Sequence, residues 1–125
     1  TITTNGGDVV FWADSDGNND GMISISSNVT TNGGHLWMGG GNGSATWNGL
    51  TVGNGFATGN ATNSNGLFIT GSTLTTAGGN IAIYAKSRAG AAVTGVTANT
   101  NGVRFWSPAI NTTFFIMYWP INVGQ

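Results

Sequence analysis

One sequence motif recurs along the whole chain: an apolar residue, two threonines, Asn-Gly-Gly, and then an alternating apolar segment. It is clearest in residues 29–38, which read Val-Thr-Thr-Asn-Gly-Gly-His-Leu-Trp-Met. A second and a third copy begin at Ile2 and Leu74, and looser copies begin at Leu50 and Val96. The five starting positions are therefore 27, 21, 24 and 22 residues apart. Similar segments at such a spacing are typical of repeat architectures.

A longer similarity supports the repeat. Residues 21–34 match residues 66–79 at a constant offset of 45, which is about two of the shorter steps. Each copy contains a short strand, an Asn-Gly corner whose residues tolerate positive φ, and a second strand. Such a pattern is also compatible with hairpins, but short strands repeated about every 22 residues favour a coil in which each turn stacks on the one before.

Stacked turns would place equivalent residues about 4.8 Å apart and in columns. The inward columns are predicted to be Val9, Leu36, Ile81 and Val103, and two residues later Phe11, Met38, Ile83 and Phe105. Asn5, Asn32 and Asn99 fall at one corner, where stacked amides can bond along the axis, and Ala77 interrupts that series.

Composition excludes several classes of protein. Gly, Thr and Asn supply 56 of the 125 residues, but five Trp, six Phe and two Tyr are atypical of a disordered chain. Three cations against four acidic residues cannot form the basic stripe that nucleic acid requires. Few strong helix formers besides Ala are present, so we expect almost no helix. No stretch approaches the roughly 20 apolar residues of a membrane span.

The outward positions carry aromatic side chains. Trp12, Gly39, Tyr84 and Trp106 are predicted to share one outward column, and Val10, Trp37, Ala82 and Arg104 its neighbour. Exposed aromatic faces can stack on sugars, so Trp12, Trp37, Tyr84 and Trp106 are candidates for glycan binding or subunit contact. The alternative is that they pack under a returning loop or against another subunit.

One acidic loop offers the only candidate metal ligands. Asp14, Asp16, Asn18 and Asp20 place an oxygen donor at every second position, as calcium loops do. The loop lacks the glycine at its sixth position and a closing bidentate carboxylate, so the alternative is a turn whose side chains cap their own backbone. Calcium is thus a candidate cofactor, and no other is indicated.

The sequence offers no catalytic constellation. His35 has no second His, Cys or Glu as a partner, and in the repeat it aligns with Asp8 and Asn80, just after a corner. The acidic and basic residues lie far apart in sequence. We therefore expect no enzymatic activity.

Residues 1–107, with their Thr-Thr-Asn-Gly-Gly copies, their Asp-Ser-Asp-Gly-Asn-Asn-Asp-Gly loop and their Gly-Gly-Gly corner, resemble the repeats of filamentous-haemagglutinin-type adhesins. The resemblance implies a right-handed parallel β-helix, exported to a bacterial surface as part of a long fibre. With the repeat, it predicts an all-β solenoid of about five rungs, each of roughly 21–27 residues.

The C-terminal segment, residues 108–125, departs from the repeat. Phe114, Phe115, Ile116, Met117, Tyr118 and Trp119 form a continuous apolar run. A run without alternation is expected to be buried on both faces, so we predict that it packs on the β-helix or on a neighbouring subunit.

Together these features predict a non-catalytic structural or adhesive element of an extracellular surface fibre that self-associates through stacked strands. Its expected partners are other copies of itself, adjoining fibre segments and surface glycans. The alternative is a discrete carbohydrate-binding module that uses the outward aromatic column.

Overall fold

The computed structural model describes residues 1–18, 20–60, 62, 66–69, 72–86, 93–99, 102–110 and 114–120, the last three ranges as strands only. This part of the chain is all β-structure, without a helix. The thirteen strands are β1 (Ile2–Thr3), β2 (Val9–Ala13), β3 (Ile23–Ile25), β4 (Val29–Thr30), β5 (Leu36–Trp47), β6 (Leu50–Gly55), β7 (Ala57–Thr58), β8 (Leu67–Ile69), β9 (Leu74–Thr75), β10 (Asn80–Lys86), β11 (Val93–Asn99), β12 (Gly102–Ile110) and β13 (Phe114–Pro120).

The strands visit three sheets in a repeating order. Sheet 1 has the order β1-β4-β9-β12-β11, sheet 2 has the order β13-β10-β5-β2 with β6 and β7 attached, and sheet 3 pairs β3 with β8. The chain passes from sheet 1 to sheet 2 to sheet 3 and then returns to sheet 1. We call these passes rung 1 (residues 2–25), rung 2 (residues 29–69) and rung 3 (residues 74–86). Neighbouring rungs pair in parallel in every sheet that they share.

The predicted inward columns are confirmed across the three rungs. Val9 pairs with Leu36, which pairs with Ile81; two residues on, Phe11, Met38 and Ile83 align in the same way. The side chains of Leu36, Met38, Ile81 and Ile83 are completely buried. With Val29 and Leu74 from sheet 1 and isoleucines from sheet 3, they form one apolar core. The repeat therefore encodes the core as columns that run along the stacking direction.

The Thr-Thr-Asn-Gly-Gly motif forms the corner between sheet 1 and sheet 2. In every rung the second threonine donates its hydroxyl proton to the carbonyl of the second glycine. These bonds are Thr4–Gly7 at 2.6 Å, Thr31–Gly34 at 2.5 Å and Thr76–Gly79 at 2.6 Å. The buried hydroxyl is thus satisfied within its own corner, which removes most of the cost of burying a polar group.

The corner amide of Asn32 bonds along the axis to a backbone carbonyl instead of to another amide, and the side chain of Asn99 lies outside the described residues. Asn32 donates its side-chain Nδ2 proton to the carbonyl of Thr4 in the rung below, at 2.5 Å. Asn32 adopts φ +52°, and Ala77, at the same place in rung 3, adopts φ +56°. Ala77 therefore holds a left-handed conformation that asparagine and glycine tolerate better.

The prediction of a separate rung at Leu50 is wrong. Residues 50–55 pair antiparallel with the second half of β5, with Trp47 opposite Leu50 and Thr46 opposite Thr51. Asn48 and Gly49 form the two-residue turn between them, at φ +47° and +78°, as type I′ hairpins require. Strands β5 and β6 are therefore a hairpin.

This hairpin is an insertion within rung 2. Gly40 pairs with Ala13 of rung 1, and Ala57 pairs with Ala85 at the equivalent place in rung 3. The chain between Gly40 and Ala57 consequently has no counterpart in rung 1. Without it, the step from rung 2 to rung 3 would have nearly the same length as the step from rung 1 to rung 2.

The predicted alignment of residues 21–34 with residues 66–79 at a constant offset of 45 is also wrong in its first part, at strands β3 and β8. Ile23 pairs with Leu67 and Ile25 with Ile69, an offset of 44, whereas Val29 pairs with Leu74 at an offset of 45. A slip of one residue exchanges the faces of a strand. Leu67 and Ile69 consequently point inward, and Phe68 lies outside with 44% of its surface exposed.

The copy at Val96 does not add a parallel rung either. β11 and β12 form an antiparallel pair, and Val103 lies opposite Leu74 in sheet 1 instead of extending the Ile81 column. The place beside β10 in sheet 2 is taken by β13, which runs antiparallel to it from Lys86 to Asn80. The parallel stack therefore ends at rung 3, and antiparallel strands follow it in both sheets.

Candidate functional site

The hairpin β5–β6 lies against the outer face of sheet 2 and buries Trp37 there. Trp37 points outward from β5, yet only 1% of its surface is exposed. It packs with Val52 from the hairpin and with Ala82 from rung 3 in a second apolar cluster, outside the main core. The hairpin therefore covers part of the outer face of sheet 2.

The four predicted aromatic site residues have different surroundings. Trp12 is 38% exposed and donates its indole N–H to the carbonyl of Gly41 at the hairpin base, at 2.8 Å. Its ring meets Trp37 edge to face, with the centroids 6.5 Å apart. Tyr84 is half-buried, 5.9 Å from Trp37. The side chain of Trp106 lies outside the described residues. The structure thus brings Trp12, Trp37 and Tyr84 together, with Trp37 in the middle and covered.

A cleft of about 280 Å³ opens between the hairpin and sheet 2. Its aromatic walls come from both sides: Trp37 and Tyr84 from the sheet, Trp47 and Phe56 from the hairpin. Phe56 meets Tyr84 edge to face at 6.1 Å, and the ammonium group of Lys86 lies 5.9 Å from the centre of the Phe56 ring. An aromatic lining with a few polar groups is typical of small-molecule sites.

Polar groups complete the lining. Thr46 and Asn54 come from the hairpin's two strands, and the backbone of Gly53 and Gly55 lies beside them. The register of β5 and β6 shifts between Gly40 and Ser44, and there the Asn54 side-chain oxygen accepts the N–H of Gly43 at 3.1 Å. This bond fixes the Asn54 amide at the cleft wall. None of the described residues that line the cleft is charged.

The acidic loop makes hydrogen bonds to its own backbone. Asp16 accepts the backbone N–H of Asn18 at 3.4 Å and its side-chain amide at 2.8 Å. Asp14, which is 9% exposed and has φ +47°, accepts the backbone N–H of Asp20 at 3.3 Å. Within the described part of the chain, no group of three or more His, Cys, Asp or Glu side chains could hold a metal ion. Calcium at Asp14, Asp16, Asn18 and Asp20 stays a prediction.

His35 links two rungs through its ring. Its backbone N–H is donated to the carboxylate of Asp8 at 2.7 Å, and its own Nδ1 accepts the backbone N–H of Asn80 at 2.8 Å. These contacts join the three residues that the repeat aligns. Because Nδ1 accepts, the ring proton must sit on Nε2 in this arrangement. The residue has a structural role in rung stacking, and the ring of Trp47 lies against it at 5.5 Å.

The apolar run from Phe114 to Trp119 lies within β13, whose backbone pairs with β10 of the same chain. The side chains of this run lie outside the described residues. Its proposed contact with a neighbouring subunit stays a prediction.

Sequence reasoning does not identify Thr46, Trp47, Asn54 and Phe56 as site residues. They lie in the segment that the motif assigns to a rung and to its connections. A signal is nevertheless present: Trp47-Asn48-Gly49-Leu50 places a two-residue Asn-Gly turn between two large apolar residues, a strong local indication of a hairpin.

In comparisons with known proteins, no protein-family model, curated protein or solved structure matches this chain. The resemblance to filamentous-haemagglutinin-type repeats therefore stays a prediction. The described residues include no helix that is long and apolar enough to cross a membrane.

Proposed function

We propose that this chain is a non-catalytic structural and adhesive segment of an extracellular bacterial surface fibre, built as a right-handed parallel β-helix that lengthens by adding rungs. A right-handed crossover is the general rule for parallel strands joined within a sheet. The chain contributes three parallel rungs, one of them carrying an inserted hairpin, in place of the five rungs counted from the motif alone.

One observation supports the addition of rungs: the inward side chains are completely buried in rungs 2 and 3 but only partly buried in rung 1. Leu36 and Ile81 are completely buried, whereas Val9, at the same position, is half-buried. Phe11 is likewise half-buried, and Ile2 is 40% exposed. In the described part of the chain, β1, β2 and β3 each pair on one side only. An edge of this kind, with unpaired backbone and partly exposed core, favours pairing with a further strand.

The partner that this surface fits is another rung of the same kind, supplied by an adjoining segment of the fibre or by rung 1 of a second copy, because β12 and β13 occupy the far end of each copy. A further rung in parallel register would extend the three sheets and bury Val9 and Phe11 as their counterparts are buried. Solenoid repeats gain stability from such neighbour contacts, because a single repeat cannot bury its apolar face alone. A surface location agrees with the resemblance of the repeats to adhesin repeats.

Gly7 allows the stacking to be tested without disturbing the fold. A Cβ on Gly34 would overlap the carbonyl of Gly7 in the rung below, and a Cβ on Gly79 would overlap that of Gly34. Gly7 faces no lower rung, and its Cβ would meet only Thr4, at 3.6 Å. The substitution Gly7→Ala should therefore leave the isolated chain folded and place a methyl group in the path of an incoming rung.

Sedimentation over a range of concentrations, with electron microscopy of the same samples, would test the proposal. We expect the parent chain to assemble, and Gly7→Ala to assemble less while melting at the same temperature as a dilute monomer. A chain that stays monomeric at every concentration, or assembly that Gly7→Ala leaves unchanged, would contradict stacking on rung 1.

A second candidate, a discrete carbohydrate-binding module, rests on an exposed aromatic column. The hairpin covers the middle of that column, since Trp37 is 1% exposed. We therefore do not propose a flat sugar-binding platform on Trp12, Trp37, Tyr84 and Trp106.

A further inference from the structure

We infer that the cleft between the hairpin β5–β6 and sheet 2 is a binding site for a single neutral sugar ring. This inference does not depend on assembly, because the cleft lies within one chain and a monomer would bind the ligand.

The hairpin is an insertion that rung 1 lacks. Rung 1 turns from Ala13 directly into its acidic loop, whereas rung 2 inserts the hairpin at the equivalent point, between Gly40 and Ala57. Insertions in a compact domain often carry function, because they must be ordered without contributing to the central core. This insertion closes over Trp37 and leaves a cleft open beside it, whose lining includes Trp47, Phe56 and Tyr84.

The lining matches the chemistry of a sugar. A pyranose has apolar C–H faces and a rim of hydroxyl groups, so it needs aromatic surfaces beside hydrogen-bonding groups. The lining contains four aromatic side chains, together with the Asn54 amide and the backbone of Gly53 and Gly55. The amide is held in place by its bond to Gly43, so little ordering is required when a ligand binds.

The absence of charged lining residues and the small volume of the cleft restrict the class of ligand further. No lining residue among those described carries a charge, so the lining offers an ionic ligand no ion pair. The ammonium group of Lys86, 5.9 Å from the centre of the Phe56 ring, would repel a cation. A volume of about 280 Å³ is at the small end of ligand sites. It suits one ring and excludes an extended oligosaccharide from complete burial. A ligand of about twelve heavy atoms at ordinary efficiency binds with a Kd of about 1 mM.

The test is a titration of the purified chain with methyl glycosides of neutral hexoses, followed by tryptophan fluorescence and by NMR of the indole N–H groups. We expect at least one glycoside to saturate with a Kd of about 1 mM and to shift the signals of Trp37 and Trp47. Cyclohexanol, a ring of similar size with a single hydroxyl group, should bind more weakly.

Two variants with matched controls locate the site. Phe56→Leu should weaken binding by about fivefold or more, because it removes a stacking surface, whereas Phe68→Leu, on the exposed face of sheet 3, should not. Asn54→Ala removes an amide from the lining, so it should weaken binding; Asn42→Ala, the same change at an exposed asparagine outside the lining, should not.

Three results would overturn the inference. They are the absence of any saturable shift up to about 0.1 M glycoside, tighter binding of cyclohexanol than of every sugar, and equal effects of the cleft variants and their controls. None of these results would bear on whether rungs stack, which sedimentation measures separately.

Discussion

At the scale of single residues, the two glycines of each corner serve different physical purposes. The first, Gly33 or Gly78, adopts φ +108° or +116°, a conformation that side chains rarely allow. The second, Gly34 or Gly79, has an ordinary backbone but lies directly over the corner of the rung below. The double glycine of the motif is therefore a requirement of both the turn and the stack.

The substitution Gly34→Ala should destabilise the chain by about 1–3 kcal/mol, because the new methyl group overlaps the Gly7 backbone, which cannot move without separating two rungs. Chemical denaturation of the variant measures the loss. Gly7→Ala is the matched control, since the same change in rung 1 meets only Thr4. Equal stabilities of the two variants would show that the corners do not stack as described.

The opposite change in stability is expected at Ala77. Its φ of +56° is unfavourable for alanine, and the equivalent Asn32 has φ +52°. Ala77→Asn should raise the free energy of unfolding by about 0.5–1 kcal/mol, and Ala77→Gly by less, because glycine also gains freedom in the unfolded chain. Thermal melts of the two variants and the parent chain measure these differences. A drop in melting temperature for Ala77→Asn would contradict the left-handed conformation of this corner.

The corner threonine also explains which parts of the fold the sequence could predict. The three copies that form rungs carry Thr4, Thr31 or Thr76 as their second threonine, and each closes its corner through the hydroxyl. The copies at Leu50 and Val96 carry Val52 and Ala98 there, which have no hydroxyl. A motif that requires the second threonine excludes both copies as rungs.

At the scale of the elements, the columns of rungs 1 to 3 followed from the repeat because one register fixes every inward side chain at once. The hairpin could not be predicted from the motif. Asn-Gly forms a corner of the coil at Asn32 and a hairpin turn at Asn48, and the asparagine has positive φ in both places. The cleft could not be predicted either. It depends on how the hairpin folds back over Trp37, and local sequence does not specify that contact.

Because Gly40 and Ala57 occupy equivalent places, the hairpin can be removed without shifting any rung. Deletion of residues 40–56 joins Gly39 to Ala57, as Trp12 is joined to Ala13 in rung 1. We expect a chain that remains β-structured, in which Trp37 becomes exposed to solvent. Circular dichroism and acrylamide quenching measure the two effects, with the same deletion in a Trp37→Phe background to assign the quenched signal.

Loss of β-structure in this deletion variant would mean that the second apolar cluster, formed by Trp37, Val52 and Ala82, is part of the minimal fold. Retained structure with Trp37 still protected from quenching would mean that something other than the hairpin covers it.

At the scale of the whole molecule, the two ends of the parallel stack differ. Rung 1 leaves β1, β2 and β3 paired on one side within the described residues, whereas beyond rung 3 the antiparallel strands β12 and β13 pair with β9 and β10. Antiparallel strands interrupt the register that a further parallel rung would need. The stack is consequently open to extension at the rung 1 end, whereas antiparallel strands cover its other end in sheets 1 and 2.

Removal of β13 should open the closed end. Deletion of residues 111–125 leaves β10 without its antiparallel partner from Asn80 to Lys86, and an uncovered edge of this kind templates pairing with other chains. We expect the truncated chain to bind an amyloid-type dye and to sediment faster than the full chain at equal concentration. Deletion of residues 121–125 alone keeps every residue of β13; it is the control and should change neither property.

If the truncated chain assembles less than the full chain, the segment from Phe114 to Trp119 is the contact between subunits that the sequence suggested. Greater assembly after truncation would identify it instead as the cap that limits growth to the rung 1 end.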